Sequence, residues 1–105
     1  MESNKLLWKI MVPFHDNDGK KFPIEHHRKW DAFVRSIAGG LSIFKTAKGQ
    51  WINDDVLYFD RVIPVEIMCT EKQIETIMHY TLTFYNQTAV MCYLVSEKAK
   101  ILYAN

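Results

Sequence analysis

Apolar and polar positions alternate in distinct rhythms along this chain, and the rhythm changes at clear punctuation. Residues 6–12, LLWKIMV, form an apolar run closed by Pro13 and followed by the polar stretch HDNDGKK, which reads as a first strand and a loop. Pro23 suits a first helical turn, and Trp30, Phe33, Val34 and Ile37 recur at i, i+3, i+4 and i+7, laying one apolar stripe along a helix. Gly39 and Gly40 should end that helix, because a left-handed C-cap costs glycine little. LSIFKTA reads as a second strand, Lys48 and Gly49 as a tight hairpin turn before QWI, and Asp54–Asp55 as another turn. A further extended run begins at Tyr58 and Phe59 and reaches Met68, with Pro64 marking an edge position or a bulge.

Thr70 and Gln73 form a T-x-x-Q capping box, with Glu71 close to the positive end of the helix that follows. Ile74, Ile77, Met78, Thr81 and Tyr85 mark the buried stripe of this second helix, which should end near Asn86. TAVMCYLV is the last full strand, and KILY, after a turn at 96–98, adds a short terminal one. Strand, helix, two or more strands, helix, strand is the order of a ferredoxin-like split βαβ sandwich. That is an α+β fold whose antiparallel-rich sheet carries both helices on one face. With 105 residues, 49% of them apolar, the chain suffices for a single domain over 1–105 with one core.

Within RVIPVEIMC, Ile63, Val65 and Ile67 share one strand face, while Val62, Pro64, Glu66 and Met68 share the other. The second face is apolar apart from Glu66, and a charge among apolar neighbours is costly unless it is paired. Either water reaches that face or a partner covers it.

Thirteen Lys and Arg against twelve Asp and Glu leave a formal charge of +1, which provides no strong field for nucleic acid or an anionic membrane. The apolar runs fall short of a membrane span, and the N-terminus passes straight into an amphipathic pattern, as in a mature cytoplasmic chain. Cys69 and Cys92 lie in strand-like apolar runs without metal-ligand spacing and read as small buried hydrophobes. His26 and His27 are adjacent, about 100° apart on a helix, whereas a helical zinc pair wants i, i+4 spacing; no metal site is expected. No phosphate-cradling glycine loop or serine-nucleophile elbow occurs in the sequence. The hydroxyl of Tyr58, between the Asp54–Asp55 turn and Asp60, could reach a ligand or a neighbouring subunit, and Gln87, just after Asn86, reads first as a turn-capping side chain and otherwise as a ligand contact.

HHRKWDAFVRSIAGGL, the Gly49–Gln50–Trp51 triplet, VEIMCTEK, YNQTAVMCY and the closing ILYA, taken in order over nearly the whole chain, resemble the small S-adenosylmethionine lyases of phages, long called S-adenosylmethionine hydrolases. The resemblance implies a ferredoxin-like homotrimer with active sites between subunits, working in the host cytoplasm and depleting the methyl donor of restriction enzymes. It implies cleavage of S-adenosylmethionine to methylthioadenosine and homoserine lactone by the substrate's own carboxylate, with no protein nucleophile, metal or cofactor.

On this resemblance Glu66 would hold the substrate's ammonium group and Tyr58 would hydrogen-bond the substrate across an interface. Gln87, in the YNQ stretch, would bind substrate with Asp60 and Phe59. The family carries acidic residues just before the strand of Glu66, where this chain has FDRVIP with Asp60 alone, so the acidic role lies between Asp60 and Glu66. Two other readings share the fold. One is a non-catalytic oligomeric small-molecule-binding or regulatory domain; the other is a monooxygenase-type enzyme with a roomy pocket inside each subunit.

Overall fold

The two faces of RVIPVEIMC meet different surroundings in the computed structural model, which describes residues 4–104. The chain runs β1 (Leu6–Pro13), α1 (Ile24–Ala38), β2 (Ser42–Ile43), β3 (Ala47–Asn53), β4 (Val56–Cys69), α2 (Glu71–Phe84) and β5 (Cys92–Ser96). The strands form one antiparallel sheet in the order β2-β4-β1-β5, with β3 pairing the other half of the long β4. This is the α+β, ferredoxin-like arrangement that the element order implies.

Ile10 faces Val65 across the β1–β4 ladder and Trp8 faces Ile67, so one side of the sheet presents a continuous apolar floor. Both helices lie on that floor. Trp30 and Val34 of α1 and Ile74 and Ile77 of α2 complete a core whose members are at most 2% exposed. Full burial of such side chains contributes about 1.5–3 kcal/mol each. Between the helices the Trp30 indole donates to Thr81 Oγ1 at 2.9 Å, which satisfies a polar hydrogen where no water reaches.

The helix boundaries follow their sequence signals. Gly39 takes φ 86° and donates its N–H to Arg35 O at 2.9 Å, ending α1 in the left-handed cap expected of it. Thr70 Oγ1 accepts from Gln73 N at 3.1 Å, and Gln73 Oε1 accepts from Thr70 N at 3.0 Å, closing the capping box. The Gln73 amide also donates to Ile37 O at 3.1 Å, tying the start of α2 to the last turn of α1.

The strands depart from expectation in several places. Lys48 and Gly49 are not a turn but lie inside β3, opposite Arg61 and Asp60. The hairpin reverses at Asp54–Asp55, whose φ values of 51° and 62° fit a two-residue loop with both central residues left-handed, a conformation aspartate tolerates. LSIFKTA splits into β2 and the start of β3, and Pro64 sits opposite the split, inside a central strand. N–H and C=O of one residue in an antiparallel strand point the same way, and Pro64 O accepts from Phe44 N at 2.9 Å, so the missing N–H faces the gap between β2 and β3. TAVMCYLV becomes regular only from Cys92, and KILY pairs with no strand among the described residues.

The other sheet face carries no helix. There Glu66 sits across from Lys9 and makes an ion pair of 3.3 Å, and the Lys9 ammonium lies 5.1 Å from the Phe44 ring centroid. The costly charge is therefore paired within the chain, by a lysine 57 residues away in sequence.

Candidate functional site

β1 ends at Pro13, opposite Val62, while β4 has already run from Val56. Arg61 O still accepts from Phe14 N at 3.1 Å, but residues 56–60 pair with β3 on one side only and leave an open edge on the other. The segment after α2, 87–91, climbs past this edge and joins the sheet when Met11 N donates to Met91 O at 3.0 Å. Between the two lies a cleft of about 950 Å³, a volume that suits an organic ligand.

Tyr58, Phe59, Asp60 and Gln87 all line this cleft. Two distant segments are thus brought together around one space. Glu66 is not among its lining residues; it remains on the open sheet face with Lys9. Trp51, Asn17 and Met78 line the cleft as well; in the sequence Trp51 stands out only within the Gly49–Gln50–Trp51 resemblance, Met78 only in the buried stripe of α2, and Asn17 not at all.

The aromatic wall comes from the β3–β4 hairpin. Trp51 pairs with Tyr58 across the ladder, and the Trp51 ring folds back over Gly49, where a Cβ would come within 2.7 Å of the indole. The Gly49–Gln50–Trp51 triplet therefore has a steric reason: a side chain at 49 would displace a ring that lines the cleft. Asp60 uses one carboxylate oxygen to accept from Arg61 N at 2.9 Å. A smaller cavity of about 430 Å³, bordered by Lys48 and Arg61, shares Phe59 and Asp60 with the main cleft.

Gln87 is held by the turn that ends α2. Asn86 takes φ 52°, and Gln87 N donates to Leu82 O at 2.9 Å, turning the chain toward the cleft. The Gln87 amide donates to Tyr85 O at 3.0 Å, and Asn17 Nδ2 donates to Asn86 O at 3.1 Å from the β1–α1 loop. Gln87 Nε2 also donates to Asn17 Oδ1 at 3.4 Å, so both its hydrogens are directed at protein, which leaves Oε1 as the side-chain atom available to accept from a ligand.

Two adjacent histidines of α1 fasten the same turn. His26 Nε2 lies 2.8 Å from Phe84 O, and because a carbonyl only accepts, His26 donates. His27 Nδ1 lies 2.7 Å from the Tyr85 hydroxyl. Burial lowers the pKa of His27, with His26 adding to the effect, so the ring is neutral; burial likewise raises that of Tyr85, which keeps its proton. Tyr85 donating to Nδ1 leaves the fewest unmet groups, with only Nε2 of His27 buried and unpartnered among the described residues.

Burial pushes the Cys92 thiol, which lines the cleft, up to about 11, so it is protonated and a poor nucleophile near neutral pH. Among the described residues, no group of three or more His, Cys, Asp or Glu side chains gathers where it could hold a metal ion. No helix among them is long and apolar enough to cross a membrane.

No protein-family model matches the chain, and no curated protein matches it. Solved structures do share the fold. A phage SAM lyase in complex with S-methyl-5'-thioadenosine superposes with a TM-score of 0.68 at 14% identity, covering 92% of this chain and 84% of that one. CutA1 from a psychrotrophic Shewanella gives 0.68 at 13% identity over 96% of this chain and 88% of that one. The divalent cation tolerance protein CutA1 of Thermus thermophilus gives 0.65 at 12% identity over 96% and 87%. At such identities the likeness is one of fold, shared alike by an enzyme and by proteins named for cation tolerance.

Proposed function

We propose that this protein cleaves S-adenosylmethionine to methylthioadenosine and homoserine lactone, as a homotrimer whose clefts are completed at subunit interfaces. The observation that carries the reading is the convergence of Tyr58, Phe59, Asp60 and Gln87 on one cleft of about 950 Å³. The shared fold with a phage SAM lyase supports it.

In this reaction a carboxylate oxygen of the substrate attacks the carbon beside the sulfonium. The new C–O bond forms as the C–S bond breaks, and the electron pair goes to sulfur, which leaves as a neutral thioether. No proton moves and no protein nucleophile enters. The protein's tasks are to hold the methionine part in the near-attack conformer and to keep water out.

The residues divide these tasks. The rings of Trp51 and Tyr58, cross-strand neighbours on one face of the hairpin, offer flat apolar surface to the adenine, while Phe59 borders the cleft from the other face. Asp60, with one oxygen turned to Arg61 N, keeps the other for the substrate's ammonium group, away from the sulfonium, where a fixed negative charge would favour the ground state. Gln87 accepts from a ribose hydroxyl through Oε1, held in place by Tyr85 and Asn17. On this reading Asp60 takes the acidic role, and Glu66 organises the sheet face that meets a neighbouring subunit.

Assembly is supported by the exposed apolar surface. Ile52 and Phe59 on the hairpin are each 72% exposed and Leu102 near the C-terminus is 97% exposed, far more than scattered surface residues require. Phe59 would be sheltered only once a second copy or a ligand stands beside it.

The test is incubation with S-adenosylmethionine followed by chromatography for methylthioadenosine. Release of methylthioadenosine supports the reading. A chain that binds methylthioadenosine tightly but leaves S-adenosylmethionine intact would instead be the non-catalytic binding domain.

A further inference from the structure

The cleft has an unusual concentration of sulfur. Met11 from β1, Met78 from α2, Met91 just before β5 and Cys92 at its start all line it, whereas the hairpin side supplies the rings of Trp51 and Tyr58. Four of the chain's seven sulfur-bearing side chains (five Met and two Cys) therefore border a single space. They come from three separate elements, so the grouping is a product of the fold and not of a local sequence run. Met11, Met78 and Cys92 are each partly buried, and Cys92 is protonated, so this side carries polarisable atoms and no fixed charge.

We infer that Met11 and Met91, joined by the Met11 N–Met91 O hydrogen bond, select ligands at the methylthio end, forming a wall that prefers a neutral thioether to a hydroxyl or a sulfonium at the 5' position. The inference rests on the proposed lyase reading and names the part of the substrate that the sulfur side chains read. Thioether side chains are flexible and polarisable, so they pack closely round a CH₃–S group with good dispersion contact. They offer a hydroxyl no strong hydrogen bond, so a nucleoside with a 5' hydroxyl loses its water there without replacement.

The same wall bears on the reaction. Carboxylate and sulfonium charges cancel as the lactone ring closes, so the transition state is less charged than the bound substrate. Surroundings without fixed charge stabilise a sulfonium less than water does, while they accept the departing thioether readily. A wall of methionines thus discriminates in the direction that the chemistry needs, and it does so without a group that must change protonation.

The experiment compares the affinities of methylthioadenosine and adenosine by calorimetry, for wild type and for Met11→Gln, Met91→Gln and Met91→Leu. Wild type should bind methylthioadenosine on the order of tenfold more tightly than adenosine, the scale expected for burying one or two apolar groups. Each glutamine variant should reduce that ratio about threefold or more, and Met91→Leu should keep most of it. Met91 is 47% exposed and can be changed without opening the core, so its pair of variants reads the wall even where Met11→Gln fails to fold.

Equal binding of the two nucleosides by wild type, or a ratio untouched by Met91→Gln and Met11→Gln, overturns the inference. If this occurs while S-adenosylmethionine is still cleaved, the lyase reading stands and only the sulfur wall falls. If neither nucleoside binds and S-adenosylmethionine is untouched, both fall together.

Discussion

Replacing the two rival carboxylates one at a time separates the roles that the fold gives them. Asp60→Asn keeps an oxygen for Arg61 N but removes the charge offered to the substrate's ammonium group. A charge-assisted hydrogen bond of this kind contributes about 1.5–3 kcal/mol, which at 1.36 kcal/mol per decade is roughly a tenfold to 150-fold fall in kcat/KM. Glu66→Gln removes the partner of Lys9 at 3.3 Å, in a pair whose side chains are 24% and 21% exposed. Discounted for that exposure, the loss is about 1 kcal/mol of stability, cushioned by the Phe44 ring over Lys9, and the melting temperature should fall by roughly 4–8 °C. Its kcat/KM should stay within about twofold of wild type. The assay is methylthioadenosine release from S-adenosylmethionine, run beside thermal melts and size measurements. A folded Glu66→Gln protein that is inactive, together with a fully active Asp60→Asn protein, would refute this division of roles.

Three further outcomes follow from other parts of the structure. Thr81→Val leaves the Trp30 indole N–H buried without its acceptor and should cost about 1–3 kcal/mol in urea unfolding; an unchanged midpoint would contradict the packing described for the two helices. His27 has a folded pKa below the ordinary 6.5, so its contribution to stability is complete above pH 6.5 and is lost as pH falls from there through the lower folded value; unfolding midpoints should drop from pH 7.5 to 5, with a smaller drop in His27→Gln, and equal slopes in both proteins would count against the buried neutral ring. Light scattering at micromolar concentration should give three times the mass of the 12.4 kDa chain, and a monomer would remove the basis for clefts completed between subunits.

How far the sequence foretold this structure depended on the range of the interaction involved. Gly39 and the Thr70–Gln73 box were readable because helix ends are fixed by residues three or four positions apart. The alternation of Ile63, Val65 and Ile67 was readable because one sheet face is buried. The turn at Asp54–Asp55 was readable, but an extra one was read at Lys48–Gly49, where the glycine serves another purpose, making room for the Trp51 ring two residues on. Lys9 as the partner of Glu66 was hidden, since only the β1–β4 register brings them together. Among the candidate site residues, Tyr58, Phe59, Asp60 and Gln87 were nameable from their polar tips and from family resemblance. Met11 and Met78 were not, and Trp51 stood out only as part of a resemblance triplet, because each looks like ordinary packing until the early end of β1 opens a cleft beside it.

The central claim, intramolecular cleavage of S-adenosylmethionine, is tested most directly by running the reaction in ¹⁸O-labelled water and locating the label in the final homoserine by mass spectrometry. Attack by the substrate's own carboxylate closes a lactone whose ring oxygen comes from that carboxylate, and water enters only later, at the carbonyl. The account predicts label in the carboxyl group and none in the side-chain hydroxyl. Label in the hydroxyl would mean that water attacks the carbon beside the sulfonium, and would contradict it.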